Sequence, residues 1–316
     1  MAPDIEKLSN LATEAAELVK KGSEVKSGGK ENGGSEIISL HIDSSVMENS
    51  RGAEAPVEVP KAEESEQPSK GKKKESENKK STYKGSKTHT IHLIDGEKGG
   101  VGKSFVSKAF IEYIQEKSLN FSIVDADSSN KDIGKIYTGC TEAYFSDNEK
   151  LHQEADKIFE MALKKSVLVN LPAQVYEKVT SWIDNNSLIS LGQENGVRFI
   201  KWFICTGNHD SVQFFLKSLK HFENDLTHVL VKNQGLCDDW KYVEELSEYQ
   251  DAKNKYGFTV MEFPKLAHWE KNMVDRLQID FTSASTHKEL GVVSKQKVKN
   301  FLKEAYKAFD ETGLVQ

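Results

Sequence analysis

The most constraining feature of the sequence is the glycine-rich segment Gly96-Glu97-Lys98-Gly99-Gly100-Val101-Gly102-Lys103-Ser104. The apolar, β-branched run at 90–94 stands directly before it, and apolar residues at helical spacing begin directly after it, at Phe105. Glycines let the backbone approach an anion closely, while amides at a helix start, a lysine and a hydroxyl complement phosphate and magnesium. The sequence therefore predicts a strand, a phosphate-binding loop and a helix in immediate succession.

Short apolar runs alternate with helical periodicity along the rest of the chain. The predicted strands lie at 90–94, 121–124, 167–169, 199–205, 228–231 and 258–261. The predicted helices lie at 105–117, 175–190, 211–222 and 239–249, and two or three more follow Pro264. This alternation favours right-handed crossovers and a mostly parallel sheet covered on both faces. Residues 88–316 are therefore predicted to form an α/β domain, doubly wound and in three layers.

The last predicted helix, 294–309, has an apolar side, and lysines occupy much of its remaining surface. A packed helix with a solvated basic face is favoured, and a helix lying on a membrane surface is the alternative.

The first 87 residues have a different composition from the predicted domain. Residues 1–21 show the spacing of a short amphipathic helix, which either packs on its own domain or docks on a protein partner. Residues 22–87, rich in Ser, Glu, Lys, Gly and Pro, are predicted to be a disordered linker. Its lysine-rich end, 70–87, is interpreted as a solvated tether, with weak, salt-sensitive DNA binding as the alternative.

Net charge, cysteine spacing and the lengths of apolar stretches limit the classes of protein to which this chain can belong. The formal net charge of −6 gives no attraction of the whole molecule to nucleic acid. The three cysteines form no CxxC pair, which favours neither a disulfide framework nor a zinc site. No leader-like start and no uncharged apolar stretch long enough to cross a bilayer is recognised, so we expect no membrane insertion and a cytoplasmic protein.

Residues 98–104, KGGVGKS, resemble the deviant Walker A loop of the ParA/MinD superfamily of P-loop ATPases. The resemblance implies an ATP-dependent homodimer in which Lys98 reaches the partner's phosphates, with Lys98 and Lys103 in catalytic roles. It also implies ATP and Mg²⁺ as cofactors. The nucleotide-binding residues it implies in this region are Gly99, Gly100, Val101, Gly102, Lys103, Ser104 and Phe105.

Two strand ends resemble the switch segments of that superfamily. Asp125 and Asp127 stand where the first switch has its aspartates, which implies that Asp127 orients the attacking water and that Asp125 serves the metal shell. Capping of the loop by either aspartate is the alternative. Asn170, in Asn-Leu-Pro-Ala, stands where the second switch has an aspartate. Ser104, Asp125 and Asn170 are therefore the expected metal-site residues, and the neutral amide predicts weaker magnesium binding and slower hydrolysis.

Two further positions are matched to the adenine side of the site. Asn233 resembles a strand-end asparagine that reads the base, and Pro264 falls where relatives place a loop against it. A turn-forming role for Asn233 ahead of Gly235 is the alternative. Within the superfamily, the strand end Leu-Val-Lys-Asn-Gln-Gly is most similar to ATPases of plasmid mobilisation and conjugal transfer, of the TraL and MobD types.

Three functions are consistent with these patterns. The leading hypothesis is a nucleotide-switched, dimerising ATPase acting in DNA partitioning, mobilisation or conjugal transfer, or cargo positioning. The second is an ATP-binding scaffold that does not hydrolyse ATP, motivated by Asn170 and the long N-terminal region. The third is an ATP-dependent carboxylate-activating enzyme, since such enzymes share the loop.

Overall fold

A computed structural model of the chain describes residues 88–146 and 148–316. The predictions for segments 1–21 and 22–87, including the lysine-rich stretch, lie outside the described residues. Within the described part, no helix combines the length and apolar character needed to cross a membrane.

The domain is built on a parallel sheet, as predicted. Among the described residues, its strands are β1 (His89–Asp95), β2 (Phe121–Asp125), β3 (Thr141–Glu142), β4 (Ser166–Asn170), β5 (Val197–Cys205), β6 (Thr227–Asn233) and β7 (Thr259–Phe263). The order across the sheet is β3-β2-β4-β1-β5-β6-β7, and all neighbouring pairs are parallel. The glycine-rich loop therefore leaves a central strand.

Helices connect the strands and cover both faces of the sheet. They are α1 (Lys103–Glu116), α2 (Glu149–Ala162), α3 (Tyr176–Asn185), α4 (Leu188–Asn195), α5 (His209–Phe222), α6 (Lys241–Glu245), α7 (Ser247–Tyr256), α8 (His268–Leu277), α9 (Phe281–Ala284) and α10 (Val292–Thr312). The helix predicted at 175–190 is interrupted, because Ser187 adopts a left-handed backbone conformation with φ of 50°. The pattern at 239–249 likewise forms two helices, and β3 and α2 were not predicted.

Along each central strand, successive side chains point to opposite faces of the sheet. On β5, Ile200 and Trp202 join the core beneath α1 and α10, whereas Val197 and Phe199 join the core beneath α2, α3 and α4. Both sets are buried, as expected for strands covered on two faces. This packing gives the predicted three layers.

Helix α10 packs against the sheet with its apolar side. Its residues Val298, Phe301, Leu302, Ala305 and Phe309 are buried. The Phe309 ring lies 4.6 Å from the Phe110 ring and 5.8 Å from the Trp202 ring, centroid to centroid. The preference for a packed final helix is therefore confirmed.

The strand ends bring the predicted site residues to one edge of the sheet. Asn170, the last residue of β4, is in register with Asp125 at the end of β2 and with Ile94 on β1. Asp95 pairs with Phe203 on the other side of β1. Residues that follow β1, β2 and β4 are thus neighbours at the carboxyl edge, where ligands of open α/β sheets bind.

Candidate functional site

The glycine-rich loop depends on close backbone packing at both of its ends. A Cβ on Gly96 would lie 2.7 Å from Val101 Cγ2 and 3.2 Å from the carbonyl oxygen of Ile204. Gly102 has φ of 105°, and a Cβ there would lie 2.6 Å from Asn233 Nδ2. Larger residues at either position would disturb the loop. The steric cause is limited to these two glycines, because a Cβ on Gly99 or Gly100 would meet nothing within 4 Å.

Lys103 turns its ammonium group back into the loop. Lys103 Nζ donates to the carbonyl oxygens of Gly96, at 2.7 Å, and Lys98, at 3.1 Å. Burial lowers the pKa of Lys103, and the nearby carboxylates of Asp95, Asp127 and Glu97 oppose that shift. A buried cation therefore lies at the centre of the loop.

Lys98 lies at the exposed outer side of the loop. Its Nζ is 2.5 Å from Asp210 Oδ2, in the first turn of α5, and the two side chains are 48% and 59% exposed. The lysine lowers the pKa of Asp210 through this hydrogen bond and its charge. Lys98 is thus held within its own chain by a solvent-exposed ion pair.

Asp125 and Asn170 are joined by a buried hydrogen bond. Asn170 Nδ2 donates to Asp125 Oδ1 at 3.0 Å, and Asn170 Oδ1 accepts from the Ser107 hydroxyl at 2.9 Å. Asp125 Oδ2 accepts from the amides of Ile133 and Gly134 at 3.2 and 3.3 Å. Both ends of the Asn170 amide, and both Asp125 oxygens, are therefore engaged in contacts within the protein.

Asp127 folds the segment that follows it. Its Oδ1 accepts from the amides of Ser129 and Asn130, each at 3.2 Å, and from the Ser129 hydroxyl at 2.6 Å. This is the geometry of the loop-capping alternative. No described contact tests its predicted role in orienting water.

Asn233 also has both polar atoms engaged. Its Nδ2 donates to the carbonyl oxygen of Val101 at 2.8 Å, and its Oδ1 accepts from the amide of Gly235 at 3.0 Å. The second contact is the turn predicted as the alternative, while the first ties the end of β6 to the glycine-rich loop. Reading a base edge with this amide would require these bonds to be exchanged.

Phe105 and Pro264 lie on the side of the site bordered by β7, α8 and α9. The Phe105 ring packs edge-on against the rings of Phe263 and Phe281 at 6.0 and 5.2 Å. Its side chain therefore serves the core, and a contact with nucleotide would come from its backbone. Pro264 is half-buried directly after β7.

Sequence reasoning missed a buried ion pair below the loop. Lys201 Nζ, on β5, lies 3.1 Å from Asp95 Oδ2, and the side chains are 0% and 1% exposed. The aromatic rings of Tyr176 and Phe222 lie 5.4 and 5.1 Å from the same Nζ. The sequence did contain a signal for this pair. A charged residue stands inside each of two apolar strands, and such a residue needs a partner when it is buried.

No protein-family model matches the chain. Among curated proteins, it is similar to "Protein MobD" of Acidithiobacillus ferrooxidans, with 25% identity over 235 residues. The match covers 70% of this chain and 96% of MobD. The similarity to MobD therefore extends over nearly the whole of that protein.

Solved structures similar to this chain include two MinD proteins, each at 14% identity. The Aquifex aeolicus protein matches 70% of this chain and 97% of its own, with a TM-score of 0.42, and the Pyrococcus furiosus cell division ATPase matches 71% and 99%, with 0.41. A nucleotide-binding protein of Archaeoglobus fulgidus, in complex with ADP, matches 60% and 86% at 14% identity, with a TM-score of 0.37.

The amides and the lysine of the loop fit a polyphosphate, and its serine hydroxyl oxygen fits the accompanying metal ion. In the described part of the chain, the amides of Gly99, Gly100 and Gly102 make no backbone hydrogen bond. They lie beside the Lys103 cation and the Ser104 hydroxyl at the start of α1. The same part contains no group of three His, Cys, Asp or Glu able to hold a metal, so Ser104 and Asp125 would share a magnesium ion with phosphate oxygens and water, as is usual for that ion.

Proposed function

We propose that the chain is an ATP-binding, nucleotide-switched dimerising ATPase of the ParA/MinD type that uses Mg²⁺. The observation that carries this proposal is the loop itself, in which a buried Lys103 cation stands beside glycine amides that no backbone acceptor in the described part of the chain uses. Backbone amides at a helix start and one lysine are the donors that a triphosphate requires.

The side chains of the loop have distinct tasks in this proposal. Lys103 exchanges its bonds to two loop carbonyls for bonds to phosphate oxygens, a change between acceptors of similar geometry. Ser104 holds the metal ion through its hydroxyl, and Asp125 and Asn170 are the other residues of the metal site. Asp127 orients the attacking water. Bound Mg²⁺ supplies positive charge against the β- and γ-phosphates.

Lys98 is the residue that couples nucleotide to dimerisation in this proposal. In the single chain it is paired with Asp210, and both side chains are about half exposed. An exposed pair of this kind contributes little stability, so it can be exchanged at small cost. Lys98 then reaches the nucleotide of a second copy and stabilises charge there.

The similarity to MobD supports a role in plasmid mobilisation or conjugal transfer, with partitioning and cargo positioning as related roles. A protein partner for segment 1–21 and weak DNA binding by segment 70–87 are parts of the same proposal, as is a cytoplasmic location.

A second candidate function is an ATP-binding scaffold that does not hydrolyse ATP. Asn170 favours it, because its amide is neutral and both its polar atoms are bonded to Asp125 and Ser107. The second switch then brings no carboxylate to the metal.

Phosphate release and light scattering, measured on the same protein with and without Mg-ATP, test the proposal. We expect Mg-ATP to double the mass, Lys103→Ala to abolish nucleotide binding, and Lys98→Ala to weaken hydrolysis more than binding. Lys164→Ala is the matched control, since Lys164 lies at the opposite edge of the sheet, just before β4.

The outcomes separate the candidates. Unchanged mass with bound nucleotide would refute the dimerising switch. Phosphate release equal to that of Lys103→Ala, with nucleotide bound and mass doubled, would favour the scaffold.

A further inference from the structure

Helix α3 begins without a side-chain cap of its own. Its first residue is Tyr176, and the residue before it, Val175, carries no side-chain acceptor. The first amides of a helix have no partner within the helix, and a carboxylate there also complements the helix dipole. Helix α3 therefore needs an acceptor from elsewhere.

Glu97, in the glycine-rich loop, supplies that acceptor. Glu97 Oε2 accepts from the Tyr176 amide at 3.4 Å. The carbonyl oxygen of Glu97 accepts from the amide of Gln174 at 2.8 Å. One residue of the loop thus holds two amides of the segment that connects β4 to α3.

The segment between β4 and α3 is under local strain. Gln174 has φ of 56°, a left-handed conformation that residues with a side chain adopt at some cost. Its amide is the one that donates to the Glu97 carbonyl. The loop therefore contacts the strained residue of the segment directly.

Glu97 is half-buried among charged groups of both signs. Burial and the neighbouring Asp95 raise its pKa, while the Tyr176 amide, Lys103 and Lys217 oppose that shift. Lys103 is the same cation that lies at the centre of the loop. A change in what Lys103 contacts therefore reaches Glu97 directly through charge.

We propose that Glu97 is a positioning residue that ties the phosphate-binding loop to the start of α3, so that nucleotide in the loop orders the segment after β4. This inference rests on the proposed function, since it assigns a path by which nucleotide acts on the second switch. It assigns Glu97 no contact with nucleotide.

Amide hydrogen exchange of residues 174–178 tests this tie, with and without Mg-ATP, in the full-length protein. Glu97→Ala removes the acceptor, and Glu97→Gln keeps an oxygen that can accept from Tyr176. Glu177→Ala is the matched control, because Glu177 lies in the same first turn and pairs with Lys217 at 2.7 Å without contacting the loop.

Without nucleotide, we expect Glu97→Ala to speed exchange at these amides by about threefold to tenfold, the effect of a lost helix cap. Mg-ATP should slow exchange in the wild type and in Glu177→Ala, but not in Glu97→Ala. Glu97→Gln should recover most of the response, and its turnover should exceed that of Glu97→Ala at similar ATP affinity.

Two results would refute the positioning role of Glu97. One is equal exchange without nucleotide in Glu97→Ala and Glu177→Ala, and the other is equal slowing by Mg-ATP in Glu97→Ala and the wild type. Failure of the proposed function looks different, because the wild type would then bind no Mg-ATP while the exchange difference without nucleotide persisted. If Glu97→Ala does not fold, Glu97→Ser, whose side chain is too short to reach the Tyr176 amide, replaces it in the same comparisons.

Discussion

Replacing Asn170 by aspartate would restore the residue type that the ParA/MinD resemblance leads one to expect, and the structure predicts a large cost. Asn170 Nδ2 lies 3.0 Å from Asp125 Oδ1, and the two residues are 1% and 4% exposed. The change places a second carboxylate against the first and removes the donor between them. The Ser107 hydroxyl, which donates to Asn170 Oδ1, can still donate to an aspartate.

Two independent limits give the free energy of unfolding that Asn170→Asp should lose. Two like charges about 4 Å apart repel by about 4 kcal/mol at an effective dielectric constant of about 20. The pair can instead take up a proton, which at pH 7 costs about 4 kcal/mol for a carboxyl with an ordinary pKa near 3.9. Both limits give about 4 kcal/mol, a large share of the free energy of unfolding of a typical domain.

The sign of the pH dependence distinguishes repulsion from poor packing. Because the paired carboxyls have a raised pKa in the folded state, the folded variant binds more protons than the unfolded one between pH 7 and about pH 4. The stability lost by Asn170→Asp should therefore return as pH falls, at about 1.4 kcal/mol per pH unit relative to the wild type.

Urea unfolding at pH 7 and pH 5 without Mg²⁺ measures both quantities, and Asn170→Leu serves as the uncharged control. The leucine variant should lose about 1–3 kcal/mol by leaving its buried partners unbonded, nearly independently of pH. An aspartate variant as stable as the wild type at pH 7, or a deficit that does not change with pH, would refute the reasoning. Under the proposed function, Mg-ATP should stabilise Asn170→Asp more than the wild type.

Three further predictions concern the rest of the domain. Phe309→Ala should lower the free energy of unfolding by about 3–5 kcal/mol in urea, because the ring is fully buried; a loss below about 1 kcal/mol would place α10 outside the core. Burial lowers the pKa of His228 to about 3, so its contribution to stability, complete above pH 6.5, should fall by about 1.4 kcal/mol per pH unit from pH 6.5 towards pH 3. An unchanged slope in His228→Gln would contradict this. Asp210→Asn should leave thermal stability nearly unchanged but lower the Mg-ATP concentration needed for doubled mass in light scattering, and an unchanged midpoint would exclude a restraining role for the Lys98–Asp210 pair.

The architecture was predictable because long apolar runs report burial on both faces of a sheet. The central strands, such as β5, show this most clearly, since nearly every residue from Val197 to Cys205 is buried. Strand β3 has only two residues and no such signal. Helix α2 did carry a signal, since Ala155, Ile158, Phe159 and Ala162 recur at helical spacing and are buried, but charged residues lie between them.

The candidate site was predictable at the level of the loop and not at the level of its partners. The motif specifies a backbone shape and a lysine, and in the structure the loop joins β1 to α1, which begins at Lys103. The partners of Asn170 and Asn233 depend on which strand ends are neighbours, and the order of strands in the sheet determines that. Glu97 shows the same limit, because nothing in its local sequence reveals that Tyr176 lies within reach.

The hydrogen bonds that the loop and its neighbours already make determine which groups can add to the affinity for ATP. Under the proposed function, Asn170 and Asn233 exchange the bonds they already make within the chain, whereas Lys103 exchanges neutral carbonyl oxygens for charged phosphate oxygens. An exchanged hydrogen bond changes the free energy by a fraction of the roughly 1 kcal/mol that a net bond contributes. The net gain must then come from the charge of Lys103 and from donors without such partners, among which are the amides of Gly99 and Gly100 in the described part of the chain. Substitutions that reshape the loop backbone should therefore reduce ATP affinity more than substitutions of Asn170 or Asn233.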